Sequence, residues 1–305
     1  MENEKLQKKG KRNRLSKSAK IFLVIMMAYP IFEFVVSWIF VKFRSVLMAF
    51  QLPTGEWSWL TFQMVFKEMF APEAQFSLET GLKNTFLWLL MDVAMLFFHF
   101  IIAYAFYRKI KGTRFFQIVF YLPGILSQVV LVTVFKYFIL TSGPLGTILK
   151  ALGVEKIPQL LSDPDYANKT VFFYRFWVGW GGHMLLLGGA LARIPLEIIE
   201  SGRIDGVGTF REMFQIVFPM IWSSFSTMLI LLFTGIFGTS DTLMLLTSGY
   251  NGTLTVGYWI FHRTYFDGPS AYNMVSAAGL IFTVFGAAIA MGVRWLVERI
   301  PAVEY

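Results

Sequence analysis

Seven ionisable residues stand inside stretches that are otherwise apolar: Glu33, Asp92, Lys136, Arg175, Asp241, His99 and His183. A charge at the centre of a membrane helix costs about 2.5–3.5 kcal/mol on insertion scales, so each must pair internally or serve a solute or proton path. One chemistry they offer is a relay, and an ion-coupled secondary transporter would use Glu33, Asp92 and the histidines in that way. The chain shows no internal inverted repeat, which argues against it. Metal chemistry has little material, because the three histidines (His99, His183, His262) are widely separated in sequence and there is no cysteine. No His and carboxylate pair stands at helical ligand spacing, which weakens the case for an intramembrane enzyme. A G-x4-G-K-[ST] phosphate loop is also missing, so ATP cannot be bound by that route.

The elements that position these residues follow from composition. Of 305 residues, 56% are hydrophobic and 15% charged, whereas a soluble domain carries about 25% charge. Too little charge remains to cover a soluble core, and 18% aromatic residues exclude a disordered chain. An all-α polytopic membrane protein is left. A crossing helix needs about 20 apolar residues. Six candidates are Ile21–Val41, Thr85–Tyr107, Phe115–Ile139, Val171–Leu191, Met220–Leu246 and Met274–Val297. The first follows Lys17 and Lys20 and is too long for a signal peptide, so it reads as a retained span.

Lysine and arginine set the orientation. The N-terminal tail, the second-to-third and fourth-to-fifth connections and the C-terminus together hold 17 of the 27, including Lys5, Arg108, Arg203 and Arg294. The opposite loops hold eight, such as Lys42, Lys83 and Lys169. Both termini are therefore expected in the cytoplasm. The net charge of +8 reads as a topology signal, with lipid contact and no nucleic-acid partner.

The expected organisation is a basic tail over 1–20, a first span over 21–42, an outer loop over 43–80, a five-helix domain over 81–297 and a cytoplasmic tail over 298–305. Within the outer region, Phe62, Val65, Phe66, Met69 and Phe70 follow Trp57 and Trp59 and suggest an interfacial helix. Gly143-Pro144 and Asp163-Pro164 read as turns.

One inner segment, 193–219, is too long for a turn and too polar to cross. It reads as helix, tight turn, helix. Pro195 suits a first helical turn, and Ile198, Ile199 and Ile204 offer an apolar face. Gly206 and Gly208 permit a reversal through positive φ. Thr209 and Glu212 have capping-box spacing, and Phe210, Met213, Phe214 and Val217 form a second apolar face.

This segment resembles the E-A-A-x3-G-x9-I-x-L-P loop of permease subunits of binding-protein-dependent ABC importers. Glu200, Ser201, Gly202, Asp205, Gly206, Ile216, Phe218 and Pro219 carry the match. Ile194-Pro195 and Ile204-Asp205-Gly206 resemble the carbohydrate-uptake branch. So do Gly81-Leu82-Lys83-Asn84-Thr85, Leu122-Pro123 and Leu246-Thr247. The resemblance implies six membrane helices with a cytoplasmic coupling helix between the fourth and fifth, in a bacterial inner membrane. It implies a second homologous permease, two cytoplasmic ABC ATPases that bind the ATP and Mg, an extracytoplasmic solute-binding protein, and a sugar or oligosaccharide as cargo. The chain itself would bind no cofactor and catalyse nothing. Glu200 would pair with a basic residue of the ATPase.

The same resemblance implies that the spans flanking the loop line the solute path. The corresponding positions are Arg175, Val178, Gly179 and Gly182 before it, and Leu232, Gly235, Ile236 and Thr239 after it. Trp177, Trp180 and Phe237 are near enough to stack on a sugar ring. Arg175 is placed to take an acidic solute bidentately.

Overall fold

The computed structural model describes residues 16–71, 76–238 and 241–300, with the backbone alone at Asp241. Residues 1–15 of the basic tail, Thr239, the Asp241 side chain and residues 301–305 lie outside it. The regular elements of the described chain are all helices, joined by turns and loops, with one isolated bridge between Gln51 and Trp57. Five helices are long and apolar enough to cross a membrane, and six if one bent pair counts as a span.

Helix α1 spans Lys17–Ala49. The Ser16 hydroxyl caps it by accepting from the Ala19 amide at 3.2 Å. It runs past the expected end at 42, because nothing in Val41–Ala49 breaks a helix, and this last part packs on the C-terminal helix. Helix α2, Leu60–Met69, is the amphipathic segment of the outer loop, burying Thr61, Val65 and Met69. Its Glu68 meets Arg263 at 2.6 Å, and Arg263 also reaches Asp267 at 2.7 Å. Burial opposes the charge on Arg263, but these partners outweigh it and raise its pKa.

Helix α3, Leu78–Tyr107, is unbroken over 30 residues and forms the central post. Its first half lies in an apolar cluster with Leu131, Tyr174 and Trp259. Its second half lies in another with Leu187, Ile199, Met213 and Phe225. The third, fourth and fifth expected spans are interrupted, whereas the first and sixth are continuous. The third divides into α4, Thr113–Ile125, and α5, Gln128–Ile139, with extended backbone at Leu126 and Ser127 beyond Pro123. Helix α6 is Pro144–Ala151. The fourth span divides into α7, Pro164–Gly179, and α8, Met184–Leu191. The fifth ends at Thr234, and a separate α11, Asp241–Leu246, follows. Helices α12, Val256–Phe266, and α13, Tyr272–Val297, complete the chain.

Gly143-Pro144 and Asp163-Pro164 start helices instead of making turns, since each proline occupies the first helical position, where a missing N–H costs nothing. Asp163 also accepts from the Asp165 amide at 3.0 Å.

Candidate functional site

The 193–219 segment forms the expected helix, turn and helix. Helix α9 is Leu196–Ile204, entered through Pro195, and it turns 82° away from α7 and α8. Gly206 makes the reversal at φ +74, where an L side chain is strained. Gly208 has φ −70 and is ordinary extended backbone, so only one of the two glycines supplies the left-handed turn. Gly202 faces Ile216. A Cβ on Gly202 would stand 2.9 Å from Ile216 Cδ1, so the glycine lets the two arms of the hairpin close. Helix α10, Thr209–Thr234, contains a π-helical turn at Glu212–Val217.

The apolar residues of this segment divide. Ile199, Met213 and Val217 are buried with α3 and α8. Ile204 is 86% exposed and Phe210 76%, with Leu196 and Phe214 also open, so Ile204 does not join the buried face of Ile198 and Ile199. Glu200 is exposed, and Ser201 donates to the Ile198 carbonyl.

The capping box is not formed. Thr209 makes no side-chain cap, and the cap position is Gly208. Glu212 is 1% exposed and turns to other partners. It accepts from Tyr104 Oη at 2.9 Å, from Arg108 Nη1 at 2.9 Å and from Arg203 Nε at 3.3 Å. Charge-assisted bonds to two guanidiniums are stronger than one bond to a backbone amide, which is why the carboxylate leaves the cap. Burial disfavours the charge on Arg108, yet its bonds to Tyr104 and Glu212 raise its pKa.

A second locus lies where the two apolar clusters meet along α3. Asp92, Met95 and His99 of α3 share a cavity of about 250 Å³ with Arg175, Val178 and Gly179 of α7. Gly182, His183, Leu232 and Thr242 complete it. Five of the expected pathway positions thus meet there: Arg175, Val178, Gly179, Gly182 and Leu232. Gly235 and Ile236 do not line it, because α10 ends at Thr234 and Ile236 turns into the protein.

Arg175 is already held. It donates Nε to Asp92 Oδ1 at 3.2 Å and Nη2 to Oδ2 at 2.5 Å, and it lies over the Trp88 ring at 4.4 Å. The fork expected to receive an acidic solute is therefore occupied by Asp92. The expected stacking aromatics are also engaged elsewhere. Trp180 stacks on Phe120 at 4.8 Å, Trp177 lies against Phe135, and Phe237 packs on Phe282. His99, 2% exposed, and His183 bring their rings to 5.7 Å at the cavity wall. Among the described residues no group of three or more His, Cys, Asp or Glu could hold a metal. Lys136 lines a separate open cavity of about 700 Å³ with Gln159, Thr247 and Asn251.

The Gly81–Thr85 motif has a different task. Asn84 donates to the Gly252 and Leu254 carbonyls at 2.8 and 2.7 Å and accepts from Asn168 at 2.9 Å. Thr85 accepts from the Val256 amide at 3.0 Å. Together they pin the α11–α12 connection to the start of α3.

This arrangement is a fold found in bacterial ABC transporters. It superposes at TM-score 0.77 on a chain of a bacterial ABC transporter involved in the import of the acidic polysaccharide alginate, with 21% identity, covering 97% of this chain and 99% of that one. A second structure, the bacterial alginate ABC transporter in complex with alginate pentasaccharide-bound periplasmic protein, gives 0.76 at 20% identity over 92% and 94%. At these identities the likeness is one of fold.

Among relatives in sequence, the maltose/maltodextrin transport system permease protein MalF of Salmonella typhimurium is 28% identical over 195 residues, 59% of this chain and 38% of MalF. The chain thus spans less than two fifths of the length of these MalF relatives. Protein LplB of Bacillus subtilis is 25% identical over 286 residues, 90% of this chain and 86% of LplB. No family model matches. The resemblance drawn from Glu200–Pro219 is borne out: the relatives include sugar-transport permeases, and the chain is a multi-pass helical membrane protein.

Proposed function

We propose that the chain is the permease subunit of an ABC importer, passing a sugar or oligosaccharide from a solute-binding protein to the cytoplasm. Hydrolysis of ATP, with Mg, takes place in two partner ATPases and not in this chain. A second homologous permease completes the pathway in a bacterial inner membrane. Both termini lie in the cytoplasm, as the basic bias of the inner segments suggests, and α9 is the coupling helix.

The observation that carries this reading is the α9 hairpin. It stands at 82° to α7 and α8, is closed by Gly202 against Ile216, and leaves Ile204 and Phe210 exposed at its tip beside Glu200. Burying such a tip in a partner's groove gains apolar area, and a rigid helix there can drag the attached spans when the partner moves. The Asp92–Arg175 cavity is the solute path. Its ion pair is already matched, so a solute carboxylate would have to displace Asp92.

The test is ATPase activity in the complex purified through this chain. The wild type is expected to retain the activity. Ile204→Glu, which puts a charge into the groove, is expected to lose it while still inserting in the membrane. Full retention by the variant would remove the coupling role.

A further inference from the structure

We propose that Glu212 is the positioning residue that clamps the α9–α10 loop to α3, and that α3 is the lever carrying loop movement to the Asp92–Arg175 pair. The inference rests on the importer reading and extends it, because neither helix joined covalently to the hairpin supplies this route.

The covalent joints are compliant. Movement of α9 that passes through α8 meets the non-helical residues 180–183 before it reaches Arg175. Movement that passes into α10 crosses the π-helical turn Glu212–Val217, where the regular bond ladder is altered. The non-covalent joint has neither weakness. Three donors converge on one carboxylate that is almost wholly buried: Tyr104 and Arg108 from α3 and its end, and Arg203 from α9. A shear between loop and α3 would strip that buried carboxylate of Tyr104 and Arg108, leaving it Arg203 alone, so the two move together.

Beyond the clamp, α3 is one uninterrupted helix with no internal proline. Asp92 stands twelve residues before Tyr104, or about 18 Å at a rise of about 1.5 Å per residue. His99 and Met95 of the same helix also line the cavity. A displacement of the hairpin is thereby delivered to the cavity wall, and specifically to the carboxylate that holds Arg175.

The experiment uses the assembled importer in proteoliposomes and reads solute carried per ATP hydrolysed. Glu212→Gln keeps the size and removes the charge. Its ratio is expected to fall by about tenfold while ATP hydrolysis continues, within the usual range of coupling between sites. An unchanged ratio in an assembled Glu212→Gln complex overturns the proposal.

A second readout uses the absence of cysteine, with spin labels at Glu197→Cys on α9 and Leu90→Cys on α3, both exposed positions. Their distance is expected to be the same with and without ATP in the otherwise unaltered chain, and to change with ATP when Glu212→Gln is added. A distance that changes equally in both overturns the proposal. If Glu212→Gln does not assemble, Tyr104→Phe, which keeps both ion pairs, is expected to lower the ratio by a smaller factor. No change there also overturns it. Failure of the importer reading is seen separately, as wild-type complex with no ATP-dependent uptake.

Discussion

Asp92 on α3 and Arg175 on α7 hold each other through two parallel bonds, Nε to Oδ1 at 3.2 Å and Nη2 to Oδ2 at 2.5 Å. Two charges that would be costly alone in an apolar span become one neutral unit. Removing one member strands the other. A fully buried pair costs about 3–5 kcal/mol to break this way, and less is expected here because the two side chains are 26% and 19% exposed. Asp92→Ala and Arg175→Ala should each lower the thermal unfolding temperature in detergent. The double variant should lose less than the sum of the two, with a coupling of about 0.5–3 kcal/mol. Additive losses would show that the pair is not a unit.

Gly206 stands at φ +74, and its amide donates to the Arg203 carbonyl at 3.1 Å. Alanine there meets open space but must adopt the left-handed conformation, at about 1–2 kcal/mol. Proline cannot adopt it and also loses the amide bond. Gly206→Ala is therefore expected to slow transport and Gly206→Pro to abolish it, with membrane insertion intact in both. Normal transport by an assembled Gly206→Pro complex would remove the proposed coupling turn.

Gly202 faces the far end of the Ile216 side chain, which can shift a little. Gly202→Ala should be tolerated and Gly202→Leu should not, the larger group costing about 1–3 kcal/mol by overpacking. Ile216→Ala combined with Gly202→Leu should recover part of the loss in a thermal unfolding assay. No recovery would mean that the two residues do not share one space.

Asn84 satisfies two loop carbonyls, those of Gly252 and Leu254. Asn84→Leu keeps the bulk and leaves both acceptors without this donor, at about 1–3 kcal/mol for each buried group. Hydrogen exchange should rise across 252–256 and stay unchanged in α9. Equal protection across 252–256 would show that Asn84 does not hold this connection.

The hairpin was legible in the sequence because its geometry is local. Gly206, Gly202 and Ile216 lie within one short segment, and a reversal needs a glycine. The breaks at 126–127, 180–183 and 235–238 were not, since a hydropathy run stays apolar across them. Glu212 was misread for a related reason. Thr209 three residues away suggested a cap, while the true partners Tyr104 and Arg108 lie 108 and 104 residues away in sequence. Asp92 and Arg175, 83 residues apart, left a usable signal: opposite charges in two apolar spans, each needing a counterion. The aromatic residues near the cavity carried no such signal, and Trp177, Trp180 and Phe237 proved to be packing.

Uptake by the purified complex in proteoliposomes tests the importer reading most directly, with solute-binding protein outside, ATP inside and all ion gradients dissipated. Sugar accumulation that requires ATP and stops when it is withheld is the expected result. Accumulation driven by a proton or sodium gradient, with no ATPase subunit present, would refute it.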